Sequence, residues 1–193
     1  MLGKKLFRIR ALVSFSDVEK GEIGGYIEKE YNLNQFDNSW VYGNAKVYDE
    51  AQVYGDAQVY DNVQVYGNAC VSGNACVYGN AWVSGDAQVS GNACVYGNVL
   101  VSGNACVSGN AQVYAFRHIF SAGPIGSRHD TITFFRTKEL YIAVKIGCFT
   151  GTITEFRKKV TRTHGDTMFG KTYQLLADVA EQWIDLEQEN ENE

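Results

Sequence analysis

From residue 41 to residue 113 a valine recurs at every sixth position, and from position 45 on the residue two places before it is alanine, or valine at 63 and 99. Ala-x-Val-x places alternate side chains on one face, which is strand periodicity. Between these short runs stand Gly or Asp and then Asn, Asp or Glu, as in V65-YGNAC and V71-SGNAC. Gly, Asn and Asp tolerate left-handed backbone angles and mark corners. A glycine every few residues argues against helix. The pattern predicts strands of about four residues joined by two-residue corners, winding so that valine and alanine stack inward on their counterparts. Read backward the register weakens but continues through S39-W, Q35-FDN, L33-N, K29-EYN and I23-GGY-I27-E, giving 15 hexads over 23–112.

Beyond residue 114 the repeat stops. DTITFFRT (130–137) and LYIAVKIGCF (140–149) read as two strands of a hairpin. Thr152-Ile-Thr-Glu155 is a capping box opening a helix with Ile153, Phe156 and Val160 on one face and Gly165 at its end. TYQLLADVAEQWIDL (172–186) reads as a second amphipathic helix. The predicted organisation is an N-terminal capping segment (1–22), a repeat solenoid (23–114), a small α+β domain in the order ββαα (115–187) and an acidic tail (188–193). KLFRIRALVSF (5–15) supplies a strand to close the solenoid's open end.

The net charge of −5 is unevenly spread. Residues 23–114 hold 2 basic and 8 acidic side chains, whereas 115–171 hold 10 basic, 4 acidic and all three histidines; 172–193 hold 7 acidic and none basic. No apolar run has signal-peptide or membrane-span length. Five cysteines without a CxxC pair suit free thiols in a reducing cytoplasm and argue against structural zinc.

These hexads resemble the hexapeptide-repeat family. The resemblance implies a left-handed parallel β-helix with three hexads per coil, hence about five coils here, and a homotrimer. The stretches KGEIGGYIEKEYNL, GPIGSRHDTITFF and GCFTGTITEF, taken with the VYGNA hexads, are similar to uncharacterised hexapeptide-repeat proteins of phages and prophages. With 18 residues per coil, Tyr42, Tyr60, Tyr78, Tyr96 and Tyr114 align in one ladder. Read hexad by hexad, position six on that face runs Lys46, Gln64, Trp82 and Leu100, and the stacked tyrosines with Trp82 and Leu100 form an apolar patch, a candidate oligomer interface.

Candidate chemistry lies in the basic segment. Gly123, Gly126, Ser127 and Arg128 share one loop, whose backbone N–H groups could form an anion nest. Phe149, Thr150, Gly151 and Thr152 run into a helix N-terminus, a second anion site. Arg136, Lys145 and His164 add charge, and Phe149 a surface for a base to stack on. The acyltransferases of the hexapeptide-repeat family imply a histidine near a coil edge, and residues 23–113 contain none. The expectation is a trimeric scaffold, without enzymatic activity, cofactor or metal, whose C-terminal domain binds a phosphorylated or nucleotide-like small molecule. In a phage setting this extends to sequestering a host antiviral defence signal in the cytoplasm. An acyltransferase, and a protein-binding inhibitor that mimics nucleic acid, are the alternatives; nucleic acid and membrane are not expected partners.

Overall fold

The computed structural model describes residues 3–187, so the acidic tail expected at 188–193 lies outside the described residues. The chain divides into two compact units, Met1–Asn110 and Ala111–Glu193. It is mainly β: a solenoid of about five coils, then a domain with a sheet and two helices.

In the first unit every repeat valine from Val41 to Val107 is buried, and so is the residue two places before it, Ser39 before Val41 and alanine or valine thereafter. The extended part of each hexad is its sixth residue and the valine that follows, and each pairs in parallel with its counterpart 18 residues on, as Trp82-Val83 does with Leu100-Val101. Three ladders result. One carries Lys46, Gln64, Trp82 and Leu100; the second Gln52, Cys70, Gln88 and Cys106; the third Trp40, Gln58, Cys76 and Cys94.

The corners explain the third and fourth hexad positions. Position three has φ near +60° to +80° throughout, and glycine serves it for two reasons. A Cβ at Gly91 would meet the backbone N of Gly109 at 2.9 Å, so the coils stack too closely for a side chain. Where Asp61 stands instead, its Oδ2 accepts from the Gly79 N–H one coil on, 2.9 Å away. Position four forms amide ladders along the edges: Asn62 donates to Asn80 and Asn80 to Asn98, each at 3.2 Å. Each coil thus satisfies the polar groups of the next.

The first coil corrects the expected register. Ile27 pairs with Val47 and Leu33 with Val53, 20 residues on instead of 18. Ile27 and Leu33 therefore occupy valine positions, not the alanine positions that counting hexads back to 23 assigns them. The two extra residues are absorbed between Asn34 and Ser39. There Asp37 accepts from the Ser39 N–H (3.1 Å) and the Gly55 N–H (2.5 Å), while Phe36 stands exposed. Strand β1 (Phe7–Arg10) runs antiparallel to β2 (Ile23–Ile27) and is the edge strand of that sheet.

The faces also need correction. Because position six and the following position two belong to one strand, the tyrosine ladder shares a face with Gln58, Cys76 and Cys94. Tyr60 Oη donates to Gln58 Oε1 on that face, and Tyr42–Tyr60 and Tyr78–Tyr96 stack with centroids 4.3 and 4.8 Å apart. Trp82 and Leu100, about half exposed, lie on another sheet with Tyr48 and Tyr66, themselves stacked at 5.2 Å. The single apolar patch read from the sequence is two patches on two faces.

The second unit takes in Ala111–Tyr114 from the last hexad: Ala111 bridges to Thr137, and the Arg136 guanidinium lies 4.8 Å over the Tyr114 ring. Its sheet is antiparallel in chain order: β3 (Ile119–Ile125), β4 (Asp130–Arg136), β5 (Ile142–Ile146) and β6 (Phe149–Thr152). β4 and β5 are the predicted hairpin, and β3 and β6 flank it. Helices α1 (Ile153–His164) and α2 (Met168–Trp183) follow; α2 starts four residues before the expected 172 because the Thr167 hydroxyl accepts from Gly170 N–H and opens it. Alternate residues of β4 and β5 (Ile132, Phe134, Ile142, Val144) form one core with Phe156 and Val160 of α1 and Tyr173, Ala177 and Ala180 of α2. Arg157 ties the helices together, donating to Asp178 and Glu181 at 2.7 Å each.

Candidate functional site

The second unit places a cavity of about 390 Å³ between the β3–β4 turn, the β5–β6 turn and one side of α1. Its apolar floor is Ile146, Phe149, Phe156 and Val160; its polar rim is Ser127, Arg128, Asp130, Lys159, Thr163, His164 and the Tyr173 hydroxyl. A volume of this size, with an apolar floor and convergent polar groups, is what small-ligand sites share.

Local structure explains each contributor. Gly126, at φ +69°, lets the chain reverse after β3, with the His129 N–H donating to the Gly126 carbonyl at 3.4 Å. A Cβ at Gly126 would fall on the Tyr173 hydroxyl, so only glycine admits that contact. Burial, with the nearby Asp130 carboxylate second, raises the Tyr173 phenol above its usual range, so it stays protonated as a donor. Along α1, Lys159 and Thr163 lie four residues apart on one side, and Lys159 Nζ sits 5.2 Å over the Phe149 ring. His164 ends α1 with its ring 5.4 Å from Tyr173. Beside this cavity is a second concavity of about 560 Å³, which shares Cys148, Phe149 and Lys159 and adds Thr150, Glu155, Lys158 and Arg162.

Of the residues singled out in the sequence, the structure brings Ser127, Arg128, Phe149 and His164 together around one cavity and sets Thr150 on the adjoining one. Gly123 is not part of an anion nest. It lies in β3 beside Pro124, which has no N–H to offer, and a Cβ there would meet Thr131 Oγ1 at 2.6 Å. The helix N-terminus at Gly151-Thr152 is already filled. Glu155 N–H donates to Thr152 Oγ1 at 3.2 Å, while Thr152 N–H and the Thr152 hydroxyl donate to Glu155 Oε2 at 2.8 and 3.1 Å, and these last two bonds hold the Glu155 carboxyl below its usual range. Arg136 is buried and committed elsewhere, donating to Gln112 Oε1 and the Glu187 carbonyl at 3.4 Å each. Lys145 is in register with Thr133 and Thr150, on the sheet face opposite Ile146 and Phe149.

Sequence reasoning missed Asp130, Lys158, Lys159, Arg162, Thr163 and Tyr173. The α1 residues were open to the same periodicity that finds its apolar face: 155, 158, 159 and 162 recur at helical spacing beside 153, 156 and 160. Asp130 and Tyr173 come from distant segments and carry no local signal.

Among the described residues, no cluster of three or more His, Cys, Asp or Glu side chains could hold a metal ion, and no helix is long and apolar enough to cross a membrane. No curated protein matches the chain. Three segments, residues 51–67, 69–85 and 87–103, match the model of the YdcK β-solenoid repeat. All three fall within the coils, each nearly one 18-residue turn, and none reaches the cavity. The first unit is therefore a repeat β-solenoid whose coils are similar to the YdcK solenoid repeat.

Proposed function

We propose that the second unit binds a phosphorylated or nucleotide-like small molecule in the cavity rimmed by Arg128, Lys159 and His164. The observation that carries this reading is the pairing of two cations from separate segments with the half-buried Phe149 over an apolar floor. Arg128 offers a planar fork suited to bidentate phosphate contact. Lys159 moves from the Phe149 ring onto the phosphate, freeing that face for a base. Ser127, Thr163 and the protonated Tyr173 hydroxyl donate to ligand oxygens. Asp130 accepts from a sugar hydroxyl or ring N–H. Lys158 and Arg162, in the adjoining concavity, hold a second phosphate.

In this reading the solenoid is a scaffold, and binding without turnover amounts to sequestration. In a phage setting the bound molecule is a host antiviral defence signal. The scaffold assembles as a homotrimer. Trp82 and Leu100, adjacent in one ladder and about half exposed, supply apolar surface for it.

Thermal-shift screening of nucleoside mono-, di- and triphosphates, with mass spectrometry of whatever co-purifies, tests the binding claim. A ligand at a hundred times its Kd stabilises the folded chain by about 2.7 kcal/mol. That shift is expected in the wild type and lost in Arg128→Ala and Lys159→Ala, both exposed positions whose replacement leaves the circular dichroism unchanged. A shift by acetyl-coenzyme A and by no nucleotide would replace this reading with an acyltransferase. Capture of a host protein in its place would favour an inhibitor. Light scattering that gives a monomer mass would remove the trimer.

A further inference from the structure

Four of the five cysteines sit at the sixth hexad position, on the outside of the solenoid, and only two of them face each other. Cys76 and Cys94 are direct partners in adjacent parallel strands. Cys70 and Cys106 occupy a different ladder with Gln88 between them, two coils apart. Adjacent strands are about 4.8 Å apart, inside the Cα separation of roughly 4.4–6.8 Å that a disulfide spans. Both thiols are half-buried, so a small oxidant reaches them.

We propose that Cys76 and Cys94 form a peroxide-reactive thiol pair that closes reversibly into a disulfide between adjacent coils, with Cys94 attacking first and Cys76 resolving. The pairing rests on the strand register, and the order of attack follows from the surroundings of each sulfur. The neighbouring Cys76 thiol, with the Tyr78 hydroxyl last, draws the Cys94 thiol below its usual range against the effect of burial, which favours its thiolate. The Cys94 sulfur, burial and the Asp61 carboxylate hold the Cys76 thiol above its usual range.

In the first step the Cys94 thiolate attacks hydrogen peroxide. An S–O bond forms as the O–O bond breaks, leaving a sulfenic acid at Cys94 and, after protonation, one water. The Cys76 sulfur then attacks the Cys94 sulfur. The S–S bond forms, the S–O bond breaks and a second water leaves with the Cys76 proton. Two thiols lose two electrons and one peroxide gains them. The product joins residues already in register, so the coils need no rearrangement. The ladder neighbour of both Cys70 and Cys106 is Gln88, not a cysteine, so they stop at the sulfenic acid or oxidise further.

The test treats the full-length protein with hydrogen peroxide, alkylates the remaining thiols and maps peptides by mass spectrometry. The expected result is a Cys76–Cys94 linkage, lighter by two hydrogens and restored by dithiothreitol, formed at least tenfold faster than any modification of Cys70 or Cys106. In Cys76→Ser, Cys94 is expected to accumulate a sulfenic acid that dimedone traps. In Cys94→Ser, Cys76 is expected to react no faster than Cys70. Equal reactivity of the four solenoid thiols, or conversion of wild-type Cys94 to sulfinic acid without a linkage, would overturn the proposal. The wild-type measurement decides it even if a serine variant folds poorly.

Discussion

The solenoid and the C-terminal unit solve the same burial problem in opposite ways. The solenoid uses one residue type at one position, and each coil's valines, corner backbone and edge amides contact copies 18 residues away. Its polar groups are consumed by this repetition, so it gathers little convergent chemistry. The C-terminal unit builds its core from unlike residues, with Phe134 packed 5.9 Å from both Phe120 and Phe156. Because its elements return from different directions, it draws Arg128, Asp130, Lys159, His164 and Tyr173 around one cavity. Repetition makes a surface; irregular topology makes a site.

The sharpest way to break this comparison is at Phe134, which is fully buried and stacks within the aromatic core of the unit. Phe134→Ala is expected to cost about 3–5 kcal/mol and to unfold the second unit while the solenoid's β-rich circular dichroism persists, read by chemical denaturation. Val83→Ala should cost less, about 2 kcal/mol. Translational equivalence predicts that Val65→Ala and Val101→Ala, in the same ladder, cost nearly the same; a wide spread would deny it.

Next comes pH. His118 is buried, its Nδ1 accepts from the Tyr114 N–H at 3.3 Å, and burial, with the Arg136 charge second, pushes its pKa from 6.5 to about 4. The unfolded chain then binds more protons between those values, so stability falls as pH falls through that window. The loss is about 2 kcal/mol from pH 7 to 5, measured as the midpoint of urea unfolding of the second unit, and His118→Asn should flatten it. The smallest effect expected is at Thr152→Ala, which removes the α1 cap for about 1 kcal/mol, again only in the second unit.

The solenoid was legible because its signal is local and repeated: Val-x-Gly-Asn-Ala states strand, corner and inward face at each hexad. It misled where periodicity was extended past its physical support. The wider corner at Asn34–Ser39 shifts Ile27 and Leu33 by two residues, and assigning faces by hexad instead of by strand placed Trp82 beside the wrong tyrosines. In the second unit the capping box at Thr152 and the central hairpin were readable from spacing. Strand β3 was hidden by Gly123 and Pro124, and β6, four residues ending at the helix cap, by its brevity. Glycines suggested anion sites at Gly123 and Gly151, yet one lies in a strand and the other faces Glu155. Lys158, Lys159 and Arg162 stand on the polar side of α1, beside the apolar stripe of Ile153, Phe156 and Val160.

The central claim is that recognition resides in the irregular unit and that the coils only carry it. Hydrogen–deuterium exchange of the full-length chain, with and without the nucleoside phosphate that gives the largest thermal shift, tests this most directly. The account predicts added protection confined to residues 126–130 and 146–164, with the coils from 41 to 107 unchanged. Protection along the coils, with none around Arg128 and Lys159, would contradict it.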